Sequence, residues 1–156
     1  MPFAPSNSAL QREAAESDLI EHSLVIPVYR NEENVPDLLH ALAKLARDVR
    51  RLEVVFVVDG SPDNSAKVLA QGLAEAGYAW QLIELSRNFG SFAAIRQGLA
   101  IARGRFFAVM AADLQEPPEL VEQFFDQLDT GAVDLLVGVR GARADPFITK
   151  LSSALY

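Results

Sequence analysis

The sequence predicts an α/β domain, a mostly parallel sheet sandwiched by helices. Three observations predict it. Apolar runs alternate about five times with helical-period segments, and the joints between them are short. The runs LVIPV, LEVVFVV and FFAVM are continuous rather than alternating in polarity, as expected of strands covered on both faces. The second and fourth runs end directly on aspartates or lead to them, at Asp59 and Asp113.

The elements follow in order. Residues 1–22 are polar and Ala/Ser-rich, and are expected to form a flexible arm with at most one weak helix from Ser8. Residues 23–156 are expected to form the domain. Leu24–Val28 is the first strand. Asn34 is placed to cap a helix to about Arg50, with Leu38, Leu39, Leu42, Leu45, Ala46 and Val49 on one face. Leu52–Val58, rich in β-branched residues, is the second strand. Asp63 or Asn64 caps a helix that Gly77 stops, turning Val68, Leu69, Leu73 and Ala76 inward. Trp80–Leu85 is the third strand, and a helix with Phe92, Ile95, Leu99 and Ala102 ends at Gly104. Arg105–Met110 is the fourth strand. Pro118 opens a helix carrying Leu120, Phe124, Phe125 and Leu128, and Val133–Val139 is expected as a fifth strand.

Composition narrows the function. At 156 residues the chain suits one domain with a real core. A net charge of −7 speaks against a nucleic-acid partner. With no cysteine there is no disulfide and no thiolate zinc site. No apolar run approaches the ~18 residues of a membrane span, and MPFAPSNSAL lacks the pattern of a secretory signal. The expected location is cytoplasmic, with any tie to the inner face of the membrane made by parts absent from this chain.

In an open α/β sheet, ligands sit beyond the carboxyl ends of the strands. After the first strand come Tyr29, Arg30, Asn31, Glu32 and Glu33, and after the second Asp59 with Gly60 beside it for close backbone approach. The third strand leads into Ser86-Arg87-Asn88-Phe89-Gly90-Ser91, where the helix amino terminus and the arginine suit a phosphate. After the fourth stand Asp113 and Gln115, a carboxylate and an amide oxygen spaced for a hard cation. Arg140 and Arg143 follow the fifth. Against each stands a plainer reading, of helix caps for Asp63, Asn64 and Asp113 and of solvated loops for the rest.

In order, VIPVYRNEENV, VVDGSPDNS, LSRNFGSFAAIRQGLAIARG, ADLQEPPEL and LLVGVRGAR resemble the family-two glycosyltransferases. The likeness is closest to the polyprenyl-phosphate sugar transferases, the group that includes dolichyl-phosphate mannose synthase, and covers about Leu24 to Tyr156. It implies a GT-A (Rossmann-like) fold, a nucleoside-diphosphate sugar donor, a divalent cation (Mg²⁺ or Mn²⁺), inversion at the anomeric carbon and a polyprenyl-phosphate acceptor. By position it implies that Pro27, Tyr29 and Asn31 lie in the base-binding loop, that Asp59 contacts the nucleoside, and that Arg87, Asn88 and Gly90 lie along the donor. It sets Arg140 near the diphosphate and Asp113 with Gln115 on the metal.

Two departures accompany the likeness. The family's Asp-Asp-Gly-Ser reads Val58-Asp59-Gly60-Ser61, and its Asp-X-Asp reads Ala111-Ala112-Asp113, so each site loses one carboxylate. A cation held by one carboxylate, one amide and donor phosphates is expected to bind weakly without nucleotide. No general base stands out, since His22 is assigned to the arm and His40 to a helix. That favours an acceptor that is already ionised, such as a lipid phosphate. Family members continue well past the point matching Tyr156, so the chain is expected to be the donor-binding portion. It is then expected to bind nucleotide, to transfer sugar poorly alone, and to self-associate as a homo-oligomer through uncovered apolar surface. Two other classes stay open: a non-catalytic scaffold of the same fold, and a signalling domain phosphorylated on Asp59.

Overall fold

The computed structural model describes residues 20–138, in which four parallel strands alternate with four helices. They are β1 (His22–Val28), α1 (Val35–Asp48), β2 (Leu52–Val58), α2 (Ser65–Leu73), β3 (Ala79–Glu84), α3 (Ser91–Ile101), β4 (Phe106–Val109) and α4 (Pro118–Asp129). The sheet order is β3-β2-β1-β4. Register is set by pairs such as Ile26 with Phe56, Leu24 with Ala108 and Val55 with Gln81.

Both faces of the two central strands are buried, which is why neither alternates in polarity. On one face Leu24, Ile26 and Val28 of β1 and Val54, Phe56 and Val58 of β2 pack against α1, α2 and α4. The amphipathic stripe of α1, Val35, Leu38, Leu42 and Leu45, fills this core. On the other face Val25, Val55 and Val57 meet Ala94 of α3. That helix lies close because Gly98 leaves room; a Cβ there would run into the side chains of Val25 and Val57.

At the amino ends of the strands, a fully buried Glu53 is held by several donors. Its carboxylate accepts from Ser23 Oγ at 2.6 Å, Arg103 Nε at 2.9 Å, Gln81 Nε2 at 3.1 Å and the Arg103 backbone N–H. Burial by itself pushes this carboxyl up, but those hydrogen bonds outweigh it and hold Glu53 below the usual glutamate value.

The structure corrects several expectations. Helix α2 ends at Leu73, not Gly77, because its last turn tightens into bonds from Glu75 N–H to Gly72 and from Ala76 N–H to Leu73. Asn34 precedes α1 without a side-chain cap bond. His22 belongs to β1 rather than to an arm. It is buried against Phe106 and Phe125, with Nδ1 donating to the Arg50 carbonyl at 3.0 Å and Nε2 3.0 Å from Asp129 Oδ1. The expected fifth strand is not formed over 133–138. A strand needs a ladder partner, and none of the described strands pairs with this segment; Leu135 and Val137 are exposed, while Leu136 packs on the core. Val139, Arg140 and Arg143 lie outside the described residues, as does the arm up to Leu19.

Candidate active site

The strand order reverses between β1 and β4: β2 and β3 extend the sheet one way from β1, and β4 lies on its other side. Chain segments therefore diverge at the carboxyl end of β1, and a crevice opens there. It is a cavity of about 360 Å³. Pro27, Tyr29 and Asn31 line it from β1, and Asp59 from β2. Asn88, Gly90 and Ser91 enter with the start of α3, and Ala111, Ala112 and Asp113 follow β4. Asp59 and Asp113, far apart in the chain, thus face one space.

Asp59 is buried, and both its oxygens are engaged. Phe89 N–H donates to Oδ1 and Gly90 N–H to Oδ2, each at 2.8 Å. The carboxylate therefore shapes the loop that leads into α3. Gly60 beside it has φ +54 and touches the backbone of Arg87 and Asn88, so no side chain fits.

The loops after β1 and β2 are bolted together by a second set of contacts. Asp63 Oδ1 accepts from Ser61 Oγ at 2.6 Å and Ser65 Oγ at 2.7 Å, and Oδ2 from Glu32 N–H at 3.1 Å. Those hydroxyls in turn accept from the backbone N–H groups of Arg30 and Asn31. Glu32 returns the contact, accepting from Asn64 N–H at 2.9 Å and Nδ2 at 3.0 Å. Burial raises the Asp63 carboxyl, but its donors, Ser61 and Ser65 foremost, prevail and bring it to about 2. Glu32 is thus a latch rather than a residue turned to a ligand. Asn31 Oδ1 accepts from Tyr29 N–H at 3.2 Å, which fixes the cavity wall.

Asp113 is exposed at the cavity rim, and its Oδ1 accepts the Gln115 backbone N–H at 3.1 Å. It does not cap α4, which starts five residues later at Pro118. Leu114 between them has φ +56, a left-handed conformation costly for a leucine by about 1–2 kcal/mol. Its side chain packs on the main core, which holds the strained loop in place. Among the described residues no group of three or more His, Cys, Asp or Glu side chains could hold a metal ion. A cation at this rim would have Asp113 as its carboxylate and would need a ligand's phosphates and water to complete its shell.

Two predicted residues stand apart from the cavity lining. Arg87 lies over the Phe89 ring, 4.1 Å from its centroid, and Gln115 is exposed beyond Asp113. Val28, Ser91, Ala111 and Ala112 also line the cavity, though none was named as a donor or metal contact. Ser91 carried a signal in its place at the start of a helix, and Ala111 and Ala112 in the Asp-X-Asp positions they occupy.

The glycosyl transferase family 2 model matches residues 23–153. The chain belongs to this family. Among its relatives, the dodecaprenyl-phosphate galacturonate synthase of Rhizobium johnstonii is 36% identical over 136 residues, which are 86% of this chain and 40% of that one. The undecaprenyl-phosphate 4-deoxy-4-formamido-L-arabinose transferase of Pseudomonas fluorescens is 37% identical over 134 residues, 85% of this chain and 39% of that one. The chain spans about two fifths of the length of these curated relatives. Of solved structures, S. aureus TarS 1-349 in complex with UDP-GlcNAc superposes with a TM-score of 0.64 at 23% identity, over 81% of this chain and 36% of that one. Mannosyltransferase PcManGT from Pyrobaculum calidifontis, in complex with GDP-Man and Mn²⁺, gives 0.62 at 22%, over 76% and 34%. This family-two chain has the GT-A fold.

Proposed function

We propose that this family-two chain is the donor-binding part of an inverting glycosyltransferase that moves a sugar from a nucleoside diphosphate to a polyprenyl phosphate. The observation that carries the reading is the single cavity shared by Asp59 and Asp113 at the reversal of strand order. The relatives named for dodecaprenyl- and undecaprenyl-phosphate products support the acceptor class.

In this reading the loop of Pro27, Tyr29 and Asn31 receives the base, and Asp59 holds the Asn88–Gly90 wall against the donor. The amino end of α3 offers unpaired backbone N–H groups toward the diphosphate. Asp113 holds Mg²⁺ or Mn²⁺ together with the donor's phosphates, and Gln115 and Arg87 flank that region, with Arg140 beyond. The cation supplies positive charge to the diphosphate as it leaves.

The chemistry is a displacement. An acceptor phosphate oxygen attacks the anomeric carbon from the face opposite the diphosphate, the bond from that carbon to the diphosphate oxygen breaks, and the nucleoside diphosphate departs with the electron pair. No proton has to be removed, because a phosphate monoester with second pKa ~6 is already mostly ionised at neutral pH. That accounts for a cavity lined, among the described residues, by neither histidine nor lysine. The signalling alternative finds no support here: Asp59 is buried, and each of its oxygens accepts a backbone N–H of the Phe89–Gly90 loop.

Amide chemical-shift mapping with UDP, then GDP, in the presence of Mg²⁺ tests the reading. Shifts should cluster at Tyr29, Asn31, Asn88, Gly90 and Ser91. Shifts confined to other surfaces, or none with any nucleotide, would overturn it.

A further inference from the structure

The chain has 21 acidic residues, yet none lies between Leu85 and Ala112. That stretch carries arginines at 87, 96, 103 and 105 and forms the cavity-side loop, α3 and β4. Three of the four already have a partner: Arg103 Nε donates to Glu53 at 2.9 Å, and Arg87 and Arg105 lie over the rings of Phe89 and Phe106, at 4.1 and 4.9 Å. Arg96 has neither an ion-pair partner nor a ring contact among the described residues, and Arg87 has no ion-pair partner there.

Beside these charges stand apolar side chains that the fold leaves uncovered. Phe92 is 88% exposed, Phe89 48% and Leu99 38%. Phe92, Arg96 and Leu99 follow at i, i+4 and i+7, so they form one outward stripe along α3. The stripe begins one residue beyond Ser91, which lines the cavity.

An aromatic ring held almost wholly in water, next to the cavity and one helical turn from the unpartnered Arg96, suits the boundary of an anionic bilayer. There the rings enter the acyl edge while guanidinium groups stay with the headgroup phosphates. A small soluble anion would use the arginines and leave the rings wet, whereas an apolar protein face would bury Arg96 without a counter-charge. The remaining surface, on a chain of net charge −7, repels an anionic membrane and so selects this face.

We propose that Phe89, Phe92, Arg96 and Leu99 form a docking surface for an anionic lipid bilayer, which brings the mouth of the cavity to the headgroup level. The inference rests on the reading above that the acceptor is a lipid phosphate. It names how that phosphate reaches the site without extracting its chain from the membrane.

Co-sedimentation with vesicles of phosphatidylcholine alone, and of equal parts phosphatidylcholine and phosphatidylglycerol, tests it. The chain should bind the anionic vesicles only, and less at high salt. Arg96→Gln should weaken partitioning about fivefold, and Phe92→Ser about tenfold or more. Calorimetry should find the parent's nucleotide affinity retained in both variants, since neither side chain lines the cavity. Equal binding to both vesicle types, no binding to either, or variants that partition like the parent would overturn the proposal. Anionic-vesicle binding with the expected losses, in a chain that binds no nucleotide, would uphold the docking surface while refuting the functional reading.

Discussion

The amide of Gly90 donates to Asp59 Oδ2 at 2.8 Å, tying the end of β2 to the start of α3 across thirty-one residues of sequence. Phe89 N–H occupies the other oxygen at the same distance. A carboxylate used in this way builds the wall of a binding site. The wall itself uses one buried acid, and Val58, where the family pattern has another aspartate, is buried in the core.

Replacing that acid should be costly. Asp59→Asn keeps one acceptor but turns an amide N–H₂ toward a backbone N–H. Hydrogen bonds to a charged group contribute about 1.5–3 kcal/mol, so a loss of ~2 kcal/mol is expected. Urea unfolding measures it, and nucleotide affinity should fall with it as the Asn88–Gly90 wall loosens. An unchanged midpoint would mean that Asp59 does not hold the loop.

Gly60 and Gly131 separate two effects. Both have positive φ, +54 and +68, but a Cβ at Gly60 overlaps the Arg87 backbone whereas one at Gly131 meets nothing within 4 Å. Gly131→Ala should cost about 1 kcal/mol from conformation alone. Gly60→Ala should cost clearly more and impair nucleotide binding, because the donor-side loop must shift. Thermal unfolding of the two variants compares them directly.

Acid should weaken the fold in a defined order. Glu53 and Asp63 are both held below their ordinary values, Glu53 below 4.5 and Asp63 at about 2 against 3.8. The unfolded chain therefore binds these protons more readily than the native one. The stability they contribute is complete above the unfolded values and is lost as pH falls through the folded ones. Unfolding free energy should decline as pH drops below 4.5, with the Asp63 share lost between 3.8 and about 2. Asp63→Asn should remove that last part of the decline, which denaturation at stepped pH would reveal.

Tyr78 offers a gain. Its hydroxyl is buried without a hydrogen-bond partner among the described residues, and burial pushes the phenol up to about 12. Tyr78→Phe removes an unsatisfied polar atom and should stabilise the chain by about 1 kcal/mol. A loss of stability would show that the hydroxyl is satisfied in solution.

Much of this was legible in the chain. The β-branched runs Leu24–Val28 and Leu52–Val58 announce central strands, Pro118 marks a helix start, and strand-end polarity locates the cavity. What stayed hidden depends on partners distant in sequence. Glu53 sits inside an apolar run, and its burial makes sense once Ser23, Gln81 and Arg103 converge on it. His22 looked like the end of an arm until Phe106, Phe125 and Asp129 closed around it. The Val133–Val139 run has strand composition, but composition cannot supply the neighbouring edge that a strand requires. Asp63 and Glu32 read as a cap and a loop residue because the reciprocal latch between them spans two joints.

We propose that a nucleoside diphosphate and a divalent cation meet in the cavity between Asp59 and Asp113. Calorimetric titration of the chain with UDP and with GDP, each with and without Mn²⁺, tests it most directly, with Asp113→Ala in parallel. Asp113 is exposed, so the variant should fold like the parent. One nucleotide should bind the parent more tightly with Mn²⁺, and Asp113→Ala should lose that metal-dependent increment. Affinities that ignore Mn²⁺, or an Asp113→Ala variant that keeps the full response, would contradict it.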